Sequence, residues 1–143
     1  MFGPLQRNFA GAWQPQTVRA VYVKIGHHFL LVFAMYKFKS RVTGDLIMLE
    51  PTGRQMLKIL GRTDEAAWAQ GILEPADMPA ALAALEAAIA DDELRRRQAE
   101  EKALEEGLPS PTAEGVSLRQ RATPFIAMIR RCLEAEKEIV WGV

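Results

Sequence analysis

Residues 35–49 read MYKFKSRVTGDLIML, and this stretch predicts two strands joined by a turn. From Tyr36 to Val42, aromatic, small or apolar side chains alternate with basic ones, which is typical of a strand with one buried face and one basic outer face. The Thr43–Asp45 segment favours a reversal, because glycine and aspartate tolerate the dihedral angles of tight turns. The apolar run Leu46–Leu49 then predicts a second strand that pairs with the first.

Two pairs of residues with capping-box spacing predict helix starts after these strands. Thr52 and Gln55 stand three residues apart, so the hydroxyl can accept from a backbone N–H while the glutamine reaches back to the cap. This helix is predicted to run for about two turns and to end at Gly61, because glycine adopts the left-handed conformation at little cost. Ser117 and Gln120 have the same spacing and predict the start of a longer helix.

A long helix is predicted between these two starts. Asp77 is a favourable N-cap, and Pro79 lies in the first turn, where its missing N–H has least effect. Helix-forming residues continue through the charged segment 91–106, which predicts a solvated helical extension rather than a binding surface. Glycines and prolines predict a loop over residues 107–116. The apolar stripe of this helix consists of Met78, Leu82, Leu85 and Ile89.

The last helix carries a continuous apolar stripe that is interrupted at Pro124. Because proline removes one backbone donor, we expect either a kink there or a fresh helix start capped by Thr123. The apolar segment 138–143 predicts a terminal strand docked beside the first strand. Together these elements predict an α+β fold, with a small antiparallel or mixed sheet packed against two or three helices. The stripe comprises Leu118, Ala122, Phe125, Ile126, Ile129, Cys132 and Leu133.

The overall composition excludes several classes of protein. The 18 basic residues balance the 18 acidic ones, and this neutral balance argues against bulk electrostatic capture by nucleic acid or anionic lipid. A single cysteine rules out an internal disulfide framework and a cysteine-rich zinc site. The chain length and an apolar content of 49% fit one globular domain, which we place at residues 35–143.

The charge is unevenly distributed along the chain. Residues 1–34 contain three basic and no acidic residues, whereas the rest contain fifteen basic and eighteen acidic ones. This difference predicts a boundary, and we expect residues 1–34 to be a poorly ordered extension that arises from a misassigned start. A secretory signal or transit peptide fits poorly, and the apolar run Phe29–Ala34 is far too short to cross a bilayer. Alternation alone would place a strand at Val18–Val23.

Seven short segments beyond residue 34 are similar, in sequence and in order, to segments of a known protein family. They are YKFKS at 36–40, GDLIM at 44–48, QMLKILG at 55–61, GIL at 71–73, DMPAAL at 77–82, VSLRQRA at 116–122 and VWG at 140–142. Together they resemble the DUF1840 family of uncharacterised small bacterial proteins. The resemblance implies a small cytoplasmic bacterial protein, in a family whose members begin at the position of Met35. It implies no activity and no catalytic or ligand residue.

The residue pattern contains no arrangement typical of catalysis or metal binding. Cys132 falls on an apolar stripe, so we expect a buried thiol rather than a nucleophile. His27 and His28 are adjacent and therefore point in different directions in regular structure. We predict no catalytic residue, no cofactor and no metal site. A small enzyme with a site built from Asp45, Glu50 and arginines is the third hypothesis for function.

The preferred interpretation is a non-enzymatic cytoplasmic interaction module that binds a protein partner or forms a homodimer. Two features support it, namely a long helix whose apolar stripe ends early and Trp141, which we expect to lie partly exposed at the rim of the sheet. No membrane partner is predicted.

The alternative interpretation is an anion or nucleic-acid binder that uses Lys37, Lys39 and Arg41 on one strand face. Nucleic acid is the less favoured ligand, because Tyr36 and Phe38 alternate onto the opposite face and leave no aromatic side chain for base stacking. Arginines of the last helix could extend this basic face, and these are Arg119, Arg121, Arg130 and Arg131.

Overall fold

The structure is a computed structural model, and it describes residues 21–25, 28–32, 35–111 and 115–143. Strands β1 (Val21–Ile25) and β2 (His28–Val32) form an antiparallel hairpin of their own. The strand predicted at residues 18–23 overlaps β1, and its first three residues lie outside the described part. We also expect residues 1–34 to be a poorly ordered extension with a misassigned start. Most of that segment likewise lies outside the described residues.

Strands β3 (Met35–Lys39) and β4 (Leu46–Leu49) form the predicted antiparallel pair. Strand β3 ends three residues earlier than the alternation predicts. The backbone N–H of Val42 donates to the Ser40 side-chain oxygen at 3.2 Å, and such local bonds compete with strand pairing. Arg41 and Val42 therefore lie in the loop between the two strands.

A four-stranded antiparallel sheet is completed by two short strands, in the order β4-β3-β6-β5. Strand β6 (Ile139–Trp141) pairs with β3, which confirms the predicted docking of the terminal segment. Strand β5 (Gly71–Leu73) pairs with the other edge of β6 and was not predicted. Three residues are too short for a recognisable alternation, so pairing with a distant segment determines this strand.

Helix α1 (Glu50–Ile59) follows β4 directly, so the predicted cap at Thr52 is wrong. Leu49 is the N-cap and makes no side-chain capping bond, while a proline occupies the first turn, where its fixed φ suits a helix start. The predicted end is confirmed, because Gly61 has a φ of 87° and the Arg62 N–H donates to the Leu57 carbonyl at 2.8 Å.

Two further helices follow before the long loop. Helix α2 (Glu65–Ala69) is capped by Asp64, whose carboxylate accepts from the backbone N–H of Ala67 at 2.7 Å. A 3-10 turn at Pro75–Asp77 leads into helix α3 (Met78–Glu105). Asp77 was predicted as a side-chain cap of α3, but it makes no capping bond, because the preceding turn holds it in a helical conformation.

Helix α4 (Leu118–Glu134) begins at the predicted capping box, in which Ser117 and Gln120 satisfy each other's backbone N–H groups. Pro124 lies inside this helix without ending it. The Thr123 hydroxyl donates to the Arg119 carbonyl at 2.6 Å, so Thr123 does not cap a fresh helix. One lost backbone bond is outweighed by buried apolar side chains on both sides of the proline.

The helices cover one face of the four-stranded sheet, and the α+β prediction is confirmed. Phe38 is fully buried at the centre, with its ring 4.7 Å from that of Phe125 and 5.8 Å from that of Trp141. Cys132 is fully buried as predicted, and its thiol contacts the Ser40 hydroxyl at 3.1 Å. None of the helices in the described ranges is long and apolar enough to cross a membrane.

Candidate functional site

The face of the sheet opposite the helices carries apolar side chains that remain partly exposed. Met35 and Leu49 oppose each other across β3 and β4, and Ile47 lies one pleat further along β4. These three side chains are 48–50% exposed. We call the whole surface the outer sheet face, and it consists of Met35, Lys37, Lys39, Ile47, Leu49, Ile72 and Val140.

Two lysines lie in the middle of the outer sheet face. Lys37 opposes Ile47, and Lys39 opposes Val140 of β6, which in turn opposes Ile72 on β5. Residues two apart on one strand are separated by about 7 Å, so the two ammonium groups start from neighbouring positions. The face therefore combines an apolar corner formed by Met35, Ile47 and Leu49, a central pair of cations, and a second apolar edge formed by Val140 and Ile72.

Each of the two lysines has one polar partner among the described residues. The Lys37 ammonium lies 3.9 Å from the Asp45 carboxylate in an exposed pair, and such pairs contribute little. The Lys39 ammonium donates to a main-chain oxygen of Val143 at 2.7 Å. Both lysines thus extend from the outer sheet face, each with one contact to a neighbouring loop or chain segment.

The other basic residues named as candidates lie away from this pair. Arg41 stands in the loop after β3, with its Nε 3.9 Å from the Glu138 carboxylate. The predicted row Lys37, Lys39 and Arg41 is thus reduced on the strand itself to two lysines. The arginines Arg119, Arg121, Arg130 and Arg131 belong to α4, which packs on the opposite side of the sheet, and the first and third of them pair with Glu93 and Glu86.

The inner side of the sheet is fixed to α2 by hydrogen bonds from two aromatic side chains, one on β3 and one on β6. The Tyr36 hydroxyl donates to the Trp68 carbonyl at 2.7 Å, and the Trp141 indole donates to the Ala67 carbonyl at 2.8 Å. Trp68 in turn donates to the Arg62 carbonyl at 2.6 Å. These bonds hold the strands that display Lys37 and Lys39 in a defined position.

Trp141 is 1% exposed, so the expectation of a partly exposed tryptophan at the rim is wrong. Its ring lies against the backbone of Gly71 on the neighbouring strand, where any Cβ would overlap it. Because β5 was not predicted, the surface that covers this tryptophan could not be foreseen either.

The hydroxyl of Tyr36 provides a pH-dependent contribution to stability. Burial raises its pKa above the ordinary value of 10.0, and the nearby Arg54 guanidinium opposes this shift only in part. Since the folded pKa exceeds the unfolded one, the stabilising contribution is complete below pH 10 and is lost as the pH rises through the folded pKa.

We therefore expect the free energy of unfolding to fall above about pH 10, and to fall less steeply in Tyr36→Phe. Urea denaturation of both proteins between about pH 8 and pH 11 measures the difference. The two proteins differ only in the phenol hydroxyl, so the comparison isolates its contribution. Parallel pH profiles for the two proteins would contradict the expectation.

A family model described as a domain of unknown function, DUF1840, matches residues 34–141 of the chain. The chain belongs to the DUF1840 family. Comparisons with curated proteins and with solved structures returned no match. Every residue of the outer sheet face lies within the DUF1840 match, whereas β1 and β2 precede it.

The carboxylates considered for catalysis are separated in this DUF1840 protein. Asp45 precedes β4 and Glu50 follows it, so about 16 Å of strand lies between them. Glu50 pairs instead with Arg54 at 2.6 Å. Within the described ranges, no three His, Cys, Asp or Glu side chains are grouped to hold a metal ion.

The apolar part of the outer sheet face was not predicted, although the sequence contains one signal for it. An antiparallel edge strand with one solvated face normally alternates between apolar and polar residues. Leu46–Leu49 is apolar at all four positions, so one of its faces had to present Ile47 and Leu49 away from the helices. Ile72 gave no comparable signal, because its strand is defined only by pairing with β6.

Proposed function

We propose that this DUF1840 member is a non-enzymatic interaction module that docks a partner protein on its outer sheet face. One observation carries the proposal, namely four large apolar side chains, each 40–50% exposed, arranged around two lysines: Met35, Ile47, Leu49 and Ile72. Single exposed apolar residues are ordinary on a protein surface, but a group of them on one regular face marks a contact site. We place the protein in the cytoplasm of a bacterium, with residues 35–143 as the working domain and residues 1–34 as an extension.

The chemistry of the face favours a segment with apolar and acidic side chains as the occupant. Carboxylates would meet the Lys37 and Lys39 ammonium groups, and apolar side chains would cover the corner formed by Met35, Ile47 and Leu49. A second copy bound through the same face is less favourable. Two-fold symmetry would bring two pairs of lysines into one interface, against one neighbouring side-chain carboxylate, Asp45, in each copy.

Nucleic acid fits the same face less well. Both aromatic side chains of β3, Tyr36 and Phe38, are buried on the helix side, so the outer sheet face offers no ring for base stacking. A phosphate-bearing partner would also leave the apolar corner uncovered.

Photocrosslinking in native cells tests the proposal. A photoreactive amino acid at position 47 of the full chain should yield one discrete crosslinked protein, and Lys37→Glu/Lys39→Glu should abolish it. Position 94 on α3 is the matched control, because Leu94 is 46% exposed and Ile47 is 50% exposed. The same product should not form there.

Sequencing the crosslinked segment decides between the occupants. A peptide rich in acidic and apolar residues supports the proposal. A crosslink to a second copy of this chain, a crosslink to RNA, or equal products from positions 47 and 94 would each overturn it.

A further inference from the structure

A groove separate from the outer sheet face lies where the end of α1, strand β5 and the start of α3 meet. Its volume is about 470 Å³, within the range typical of small-ligand sites. Most of its wall is apolar, with Ile59 and Leu60 from α1, Leu73 from β5 and three alanines from the first turns of α3. Two charged side chains, Arg62 and Asp77, also line it.

Arg62 is held in place without being neutralised. One of its terminal nitrogens donates to the Ile72 carbonyl at 3.1 Å, and its guanidinium carbon lies 5.8 Å from the centre of the Trp141 ring. Among the described residues, no carboxylate forms an ion pair with it. A positioned guanidinium with unused donors is suited to bind a carboxylate from outside.

Asp77 supplies the opposite charge. Its position directly before α3 suits a capping carboxylate, yet the side chain makes no capping bond. Its carboxylate forms no ion pair with a basic residue of the described ranges, while its backbone N–H donates to the Glu74 carbonyl at 2.9 Å. The groove therefore holds a cation and an anion that do not neutralise each other.

We propose that this groove binds a short apolar peptide with free termini. The peptide carboxylate would pair with Arg62, its terminal ammonium with Asp77, and its side chains would lie over the apolar wall. A single amino acid is a poorer match, because it carries both charges on one carbon, whereas Arg62 and Asp77 line the same groove without coming close enough to form an ion pair with each other. This site is independent of the protein-docking face.

Binding of the tripeptide Ala-Leu-Ala to the full chain tests the inference by isothermal titration calorimetry. The free peptide should bind about threefold more tightly than its N-acetylated form and about threefold more tightly than its C-amidated form, as expected for the loss of one exposed charged contact. The doubly blocked peptide should bind weakest.

Two variants assign each terminus to its side chain. Arg62→Gln should remove the preference for a free carboxylate and keep the preference for a free amine, and Asp77→Asn should do the reverse. Lys58→Gln is the matched control, because Lys58 is a basic residue in the last turn of α1, four positions before Arg62 in the sequence, and does not line the groove. It should leave all affinities unchanged.

The experiment is decisive even if Arg62→Gln destabilises the protein by removing the hydrogen bond to the Ile72 carbonyl. Asp77→Asn removes no described side-chain contact, so it keeps the fold and carries the test alone. Equal affinity for free and doubly blocked peptide, absence of saturable binding, or an unchanged preference for the free amine in Asp77→Asn would overturn the inference.

Discussion

Replacing Phe38 with alanine is expected to lower the free energy of unfolding by about 3–5 kcal/mol. The Phe38 side chain is fully buried, and its ring contacts those of Phe125, Trp141 and Tyr36 at centroid distances of 4.7, 5.8 and 5.9 Å. Alanine would leave a cavity where the sheet meets α4, and the surrounding rings cannot all collapse into it. Since total stabilities are about 5–15 kcal/mol, this is a large fraction.

Thermal unfolding followed by circular dichroism measures this effect. For a chain of this size, the melting temperature should fall by roughly 10–15 °C. Ile47→Ala is the matched control, because it shortens an apolar side chain on the adjacent strand that is 50% exposed on the outer sheet face. Its cost should stay below about 1 kcal/mol. Similar losses for both variants would contradict the assignment of the two faces.

Local patterns explain the parts of the fold that the sequence predicted correctly. The alternation through Tyr36 and Phe38 assigned the buried face of β3, since a strand's side chains point to opposite sides in turn. The end of α1 at Gly61 and the start of α4 at Ser117 were correct, because both signals act within a few residues. Burial of Cys132 followed from the apolar stripe of α4.

The incorrect predictions concern structural features that depend on contacts with distant segments or on competing local structure. Strand β5 exists only through its pairing with β6, and that pairing also covers Trp141. Thr52 had a valid capping pattern, but the chain enters α1 directly from β4, and Pro51 is compatible with the earlier start. Aspartate is a residue type that often caps helices, but the preceding 3-10 turn holds the Asp77 backbone in a helical conformation, and its side chain makes no capping bond.

The two lysines of the candidate site were predicted from the sequence. The apolar side chains around them were not. Lys37 and Lys39 followed from the alternation of one strand, which is a local property. Arg41 was included because the strand was predicted three residues too long, and a Ser40 side-chain bond accounts for its end. The apolar corner depends on the register between β3 and β4, which no local pattern specifies.

Gly142→Ala is expected to cost about 2–4 kcal/mol in the free energy of unfolding, from two separate causes. The φ of Gly142 is 77°, in the left-handed region that disfavours any residue with a Cβ. A Cβ would also lie 2.7 Å from the Cα of Gln70 and overlap the Ala69 carbonyl oxygen. The end of β6 would have to move away from α2, which disturbs the bond between Trp141 and Ala67.

Two other glycines separate these causes. Gly61 has a φ of 87° but open space around its missing Cβ, so Gly61→Ala should cost only about 1 kcal/mol, the contribution of the backbone conformation. Gly44 has open space without a positive φ, so Gly44→Ala should change stability by less than about 0.5 kcal/mol. Urea denaturation of the three variants gives the order directly. If Gly142→Ala were no more destabilising than Gly61→Ala, the close approach between β6 and α2 would be wrong, and with it the anchoring that holds the lysines of β3 in position.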